Sequence, residues 1–140
     1  MAADAGILIQ RWFEEVWNQK RIEAMEELSS PDAISHGHTA QPIGMAEFRE
    51  FARSMQAAFP DIHFTLEKPV VEGDRAAAFW RAEMTHMGTF LGIPATGGKV
   101  SIHGIAMGRE QGGKMVESWN SWDQMGLMQQ IGAVSPPLMF

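Results

Sequence analysis

The hydrophobic pattern of the chain changes period once. From Asp4 to Gln19 apolar residues recur at Ile7, Ile9, Trp12, Phe13, Val16 and Trp17, close to the 3.6-residue repeat that lays a stripe along a helix, and Asp4 stands where an N-cap belongs. A shorter helix is predicted from Arg21 to Leu28, with Ile22, Met25 and Leu28 on one side; it ends before Ser30-Pro31-Asp32, because a residue ahead of proline avoids the helical region. The chain then runs extended from Ala33 to Thr39. Pro42 and Gly44 separate that stretch from a third amphipathic helix, Met45 to Phe59, marked by Phe48, Phe51, Ala52, Met55 and Phe59 and ended by Pro60.

From Asp61 onward the period is two. Ile62, Phe64 and Leu66 alternate with His63, Thr65 and Glu67, and Val70-Val71 lead into the turn Glu72-Gly73-Asp74. Between Arg75 and Gly88, Ala78, Trp80, Ala82, Met84 and His86 oppose Phe79, Arg81, Glu83 and Thr85. Val100, Ile102, Gly104 and Ala106 alternate with Ser101, His103, Ile105 and Met107. The stretch Lys114 to Met128 carries a last strand into a short apolar helix. On strict alternation Met115, Glu117, Trp119, Ser121 and Asp123 share one face, opposite Val116, Ser118, Asn120 and Trp122. Three long strands joined by turns make an antiparallel meander. The predicted fold is therefore α+β, a cone-shaped curved antiparallel sheet covered by three N-terminal helices, in one domain over 1–134 with a loosely held tail at 135–140.

Composition narrows the classes of function. A chain of 140 residues can build a core without metal or disulfide support, and the absence of cysteine excludes a disulfide scaffold, a thiol nucleophile and a Cys-based zinc site. A net charge of −6 with scattered Lys and Arg argues against nucleic acid. No segment approaches membrane-spanning length and the N-terminal residues lack a leader pattern, so a cytoplasmic protein without membrane contact is expected. Eleven methionines, five tryptophans and eight phenylalanines, with no tyrosine, provide the adaptable apolar surface that lines a pocket for a small apolar molecule. Apolar residues on both faces of a strand, such as Phe79 beside Trp80, predict a homodimer.

Two roles are open for Asp123. It stands where the N-cap of the last helix belongs, and a carboxylate held against Trp119 would be poorly solvated, which raises its proton affinity toward neutral pH. His36-Gly37-His38 would place two imidazoles on one strand face, but with Asp32 alone beside them a third dependable ligand is missing and no metal is expected. His86 is expected to tie the Pro/Gly loop Thr89 to Lys99 to the backbone, and His63 to face solvent or a second subunit. The run GIPATGGK at 92–99 lacks the lysine and hydroxyl positions of a phosphate loop. Arg109 and Glu117 are placed to pair across neighbouring strands, and Asp61 to make a turn or cap.

The runs FPDIHF at 59–64, EGDRAAAFW at 72–80, THMGTFLGIPATGGKV at 85–100 and GGKMVESWNSWDQMGLMQQIG at 112–132 resemble the SnoaL-like polyketide cyclases, part of the nuclear-transport-factor-2-like superfamily that includes ketosteroid isomerases. The resemblance implies an intramolecular aldol cyclase or isomerase working on an apolar carbonyl compound without cofactor or metal. It implies Asp123 as general acid and base, and His103, His36 and His38 as the candidates for the donor that stabilises the enolate. Trp12, Phe13, Phe51, Met55, Phe59, Trp80, Met84, Met107 and Trp119 are the expected cavity wall. Two alternatives stay open: a non-catalytic binding or dimerisation domain of the same fold, and a limonene-epoxide-type hydrolase for which Glu117 and Arg109 are the nearby groups.

Overall fold

The computed structural model describes residues 4–133, so the tail expected at 135–140 lies outside the described residues. Helix α1 (Ala5–Arg11) is capped by Asp4, whose side chain accepts from the Ile7 amide at 2.8 Å, and runs directly into a π-helical segment, Trp12–Asn18. There follow α2 (Ala24–Leu28), β1 (Ser29–His36), α3 (Met45–Ala58), β2 (His63–Leu66), β3 (Val70–Glu72), β4 (Arg75–Thr85), β5 (Lys99–Gln111), β6 (Lys114–Trp122) and α4 (Gln124–Gln130). The strands form one sheet in the order β1-β6-β5-β4-β2, with β3 also on β4. The meander β4-β5-β6 is antiparallel, as the alternation predicts. β1, by contrast, joins β6 in parallel, a long-range pairing with no local signal.

Burial on the sheet follows the period of two. Ala76, Ala78, Trp80, Ala82 and Met84 of β4 and Val100, Ile102 and Ala106 of β5 are buried under the helices, while Phe79 and Ile105 between them face outward. Each large apolar side chain sealed on the inner face contributes roughly 1.5–3 kcal/mol of transfer free energy. The inner layer is aromatic: Phe13 packs edge-on to Phe64 at 5.2 Å between centroids, and Phe64 edge-on to Trp80 at 5.1 Å. Gly104 makes room for this layer. A Cβ there would come within 2.6 Å of the Trp80 ring, so the indole lies directly on the β5 backbone.

Three local features re-aim side chains. Residues four apart share a face of a helix, and the π-helical turn Trp12–Asn18 keeps that alignment. Phe13 and Trp17 thus both reach the interior, and Gln56 of α3 donates to the Val16 carbonyl at 3.1 Å. In β6, Glu117 stands opposite Arg109 but Met115 opposite Glu110, which leaves Val116 as a bulge. The extra residue inverts the alternation, so Met115 is buried whereas Glu117, Trp119 and Ser121 lie on the outer face. Finally, Gly37 ends β1 at φ +101°, against the Asn120 backbone. The expectation that His36 and His38 share a strand face is corrected by this glycine: His36 turns outward and His38 inward.

Candidate active site in the sheet interior

The interior lies between the π-helical segment, α3 and the inner face of the sheet. Phe13, Trp17, Phe51, Met55, Phe64, Trp80 and Ile102 wall its centre, together with two polar side chains from β6, Asn120 and Trp122. Register explains why these two point inward: Asn120 stands opposite Ala106 and Trp122 opposite Gly104, both inner positions of β5. The Trp80 indole N–H donates to Asn120 Oδ1 at 3.1 Å, which leaves the Asn120 amide hydrogens for another acceptor. Among the described residues the buried Trp122 Nε1 donor has no hydrogen-bond partner. A buried unpaired donor costs on the order of 1–3 kcal/mol, so its retention marks a place where a ligand acceptor would be rewarded.

His38 is the third polar group on this side. Its ring packs against Phe51 at 4.8 Å and Phe48 at 5.1 Å, its Nε2 lies 3.4 Å from Ser35 Oγ, and its buried Nδ1 has no partner among the described residues. Burial lowers its pKa from 6.5 to about 4, so the imidazole is neutral at physiological pH. Ser35 Oγ in turn lies 2.7 Å from Ser118 Oγ across the parallel pair. The chamber is tightly filled, with a cavity of only about 20 Å³ at its centre. That is room for about one water, so a larger ligand requires the partly buried Phe51 and Trp122 to swing aside.

The outer face carries a second set of groups. Asp123 caps α4, accepting from the Gly126 amide at 2.9 Å, and its own N–H donates to the His103 carbonyl at 3.1 Å. Asp123 and His103 line an open groove with Phe79, Ile105 and Ser121, and the His103 ring stacks on Phe79 at 5.9 Å. Farther along this face, His36 Nε2 lies 2.7 Å from Glu117 Oε2, and Arg109 donates to Glu117 Oε1 at 3.3 Å. The His36 hydrogen bond, reinforced by Arg109, holds the Glu117 carboxyl below its usual range. Trp119 is stacked by His36 at 5.3 Å and covered by the Arg75 guanidinium at 5.2 Å.

The profile of the SnoaL-like polyketide cyclase family matches residues 7–131. The chain belongs to that family. Solved structures agree: AclR of Streptomyces galilaeus, described as a candidate hydroxylase, is 25% identical with a TM-score of 0.83, over 94% of this chain and 82% of its own. IdmH of Streptomyces antibioticus, described as a candidate polyketide cyclase, is 29% identical with a TM-score of 0.78, over 89% of this chain and 96% of its own. TsrD of Streptomyces laurentii is 26% identical with a TM-score of 0.79, over 91% of this chain and 93% of its own. No curated protein matches the sequence.

Within this SnoaL-like fold the residues singled out from the sequence divide by sheet face. Trp12, Phe13, Phe51, Met55, Phe59, Trp80 and Met84 stand on the helix-covered side. Met107 and Trp119 stand on the outer face, and so do His36 and His103. Of the four polar candidates, Asp123, His36 and His103 line the outer face and His38 reaches the interior. Asp123 does not share a cavity floor with Trp119, because it lies past the end of β6 in the turn that α4 requires. Sequence reasoning missed Asn120, Trp122, Ser35 and Ser118. Asn120 and Trp122 were legible as one strand face, but strict alternation read through the Val116 bulge gave no reason to prefer that face over its opposite. His86 ties its loop down, Nδ1 accepting from the Thr96 amide at 3.3 Å. Among the described residues no three metal-ligating side chains cluster, and no helix is long and apolar enough to cross a membrane.

Proposed function

We propose that the interior binds an uncharged, apolar carbonyl compound and promotes proton transfer beside the carbonyl, as in a cofactor-independent cyclase or isomerase. The observation that carries this reading is the buried, unpartnered Trp122 Nε1–H within an aromatic chamber. Together with the Asn120 amide it offers two neutral donors to a carbonyl oxygen, and donors placed where negative charge develops are the larger part of such catalysis. His38, packed behind the Phe51 wall of that chamber, is a titratable group on this side, unprotonated at neutral pH because its pKa is about 4. A base of that strength suffices for a carbon acid when the enolate oxygen is well held. Family membership supports the class of chemistry, and the names of AclR and IdmH point to more than one reaction on this fold.

A second reading, in which Asp123 is the general acid and base, is favoured by its place beside His103 in the outer groove. One experiment separates the two. Exchange of the α-protons of 2-tetralone in deuterated buffer, followed by NMR, is expected to be accelerated by the protein, to fall at least about tenfold in Trp122→Phe and His38→Gln, and to persist in Asp123→Asn. Loss in Asp123→Asn alone would transfer the chemistry to the outer groove. No acceleration by the folded protein would leave a binding domain.

The outer face supports a homodimer. Ile105 is 54% exposed and Phe79 38%, and they stand directly opposite each other on β5 and β4, next to the Ala77–Met107–Trp119 row. Sedimentation at micromolar concentration is expected to give a dimer, and Phe79→Lys with Ile105→Lys a monomer.

A further inference from the structure

A sheet that is not closed into a barrel leaves strand edges whose N–H and C=O groups can pair with another chain. In the order β1-β6-β5-β4-β2 the outer strands are β1 and β2, and a further edge arises on β5 beyond Gly104, where β6 gives way to α4. At each of these edges one residue has both backbone groups taken by a single neighbour. On β1 the neighbour is backbone: the Ser35 amide donates to the Ile43 carbonyl at 2.8 Å, and the Ile43 amide donates to the Ser35 carbonyl at 2.9 Å. On β2 and β5 it is one side chain.

Asn18, at the end of the π-helical segment, takes the edge of β2. Its Oδ1 accepts from the Phe64 amide at 2.7 Å and its Nδ2 donates to the Phe64 carbonyl at 2.9 Å. Gln130, at the end of α4, takes the edge of β5 in the same way, Oε1 accepting from the Ser101 amide at 2.8 Å and Nε2 donating to the Ser101 carbonyl at 2.9 Å. A primary amide carries an acceptor and a donor side by side. Each carboxamide therefore copies the two N–H···O bonds that a residue of an adjoining antiparallel strand would exchange.

Stability alone gives little reason for this geometry. Gln130 is exposed, and fixing an exposed glutamine loses side-chain entropy that its two solvent-exposed bonds largely spend themselves offsetting. The edge of β2 is also accessible to another chain. An open groove lined by Gln10, Glu14, Asn18 and Leu66 runs beside it, and on the period of two Leu66 directs its backbone groups the way Phe64 does. A second copy supplies the matching strand, because Phe64 and Leu66 of one copy can stand opposite Leu66 and Phe64 of another about a two-fold axis.

We propose that Asn18 and Gln130 are edge guards, which stand in for missing strands and keep a second copy of this chain from adding a strand at β2 or β5. Self-association is thereby confined to the outer face of the sheet, away from its edges.

The test uses the full chain. Amide exchange in deuterated buffer, followed by NMR, is expected to be at least about fivefold faster at Phe64 in Asn18→Leu with Ser101 unchanged, and the reverse in Gln130→Met. Sedimentation from micromolar to millimolar concentration is expected to show both variants forming species larger than the parent, with an intermolecular β-sheet band in the infrared. Adding Thr65→Lys, a charge on the β2 edge, is expected to return Asn18→Leu to the size of the parent. Gln56→Met removes a side-chain bond to the Val16 carbonyl, away from both edges, and controls for lost stability. The two edges are independent, so a variant that folds poorly at one leaves the other to decide. Unchanged exchange at both amides, freed amides in species no larger than the parent, equal association by Gln56→Met, or association indifferent to Thr65→Lys would overturn the proposal.

Discussion

The imidazole of His38 packs 4.8 Å from the Phe51 ring, centroid to centroid, and its buried Nδ1 finds no partner among the described residues. This placement makes folding sensitive to acid. Burial lowers the folded pKa to about 4 from 6.5, so between these values the unfolded chain binds a proton that the folded chain refuses. Stability is therefore fully present above about pH 6.5 and falls as the pH drops toward 4, by an amount on the order of 2–3 kcal/mol. Urea unfolding of His38→Phe is expected to lose that much of the difference between pH 7.5 and pH 4.5. An unchanged difference would show that His38 is not the group responsible.

Gly37 and Gly92 both have positive φ, +101° and +78°, but only Gly37 is crowded. A Cβ on Gly37 would fall 1.8 Å from the Asn120 carbonyl oxygen, whereas nothing lies within 4 Å of one on Gly92. Gly92→Ala should cost about 1–2 kcal/mol from backbone strain alone. Gly37→Ala should cost clearly more, above roughly 3 kcal/mol, or force β1 away from β6. Denaturant midpoints of the two variants, with circular dichroism to confirm the fold, decide the ordering.

Asp123 offers a separation of cap from carboxylate. Asparagine caps about as well as aspartate, so Asp123→Asn should leave thermal stability within about 0.5 kcal/mol of the parent, whereas Asp123→Ala should lose about 1 kcal/mol with the Gly126 hydrogen bond. A large loss in Asp123→Asn would mean that the negative charge itself is structural.

Glu117 should titrate below its usual 4.5, because the hydrogen bond from His36 and then that from Arg109 favour its charged form. A lowered folded pKa gives stability that is present above about 4.5 and lost as the pH falls through the folded value. A carbon-detected NMR titration of the Glu117 carboxyl should show the depression, and His36→Ala should raise the midpoint toward 4.5. A midpoint unmoved by His36→Ala would assign the depression to Arg109 instead.

Much of the fold was legible because periodicity is a local signal. The switch from a helical to an alternating pattern at Asp61 located the meander, and Asp4, Pro60 and the turn at Gly73 bounded the elements near where they occur. The sequence reading also anticipated the Arg109–Glu117 pair and the tethering of the loop by His86. The inner wall read from the aromatic positions holds for Trp12, Phe13, Phe51 and Trp80, since those positions follow the helix stripe or the strand period. The polar members of the site were less legible. One unpaired residue, Val116, reverses the face of every residue before it in β6 relative to strict alternation, and one glycine, Gly37, sends His36 and His38 to opposite sides of the sheet.

The stretch from Lys114 to Trp122, with the cap Asp123, shows where the boundary falls. Sequence alone determined that a strand ends in a capped helix here, because capping and alternation depend on residues within one or two turns of each other. It also determined the SnoaL-like class and the aromatic character of the interior. Only the tertiary structure decided that Asn120 and Trp122, not Asp123, face that interior, that Ser118 meets Ser35 across a parallel pair 83 residues apart, and that His38 is neutral. Those outcomes depend on register and burial between segments distant in the chain, and a hydrogen bond or a pKa set by such contacts has no counterpart in local sequence.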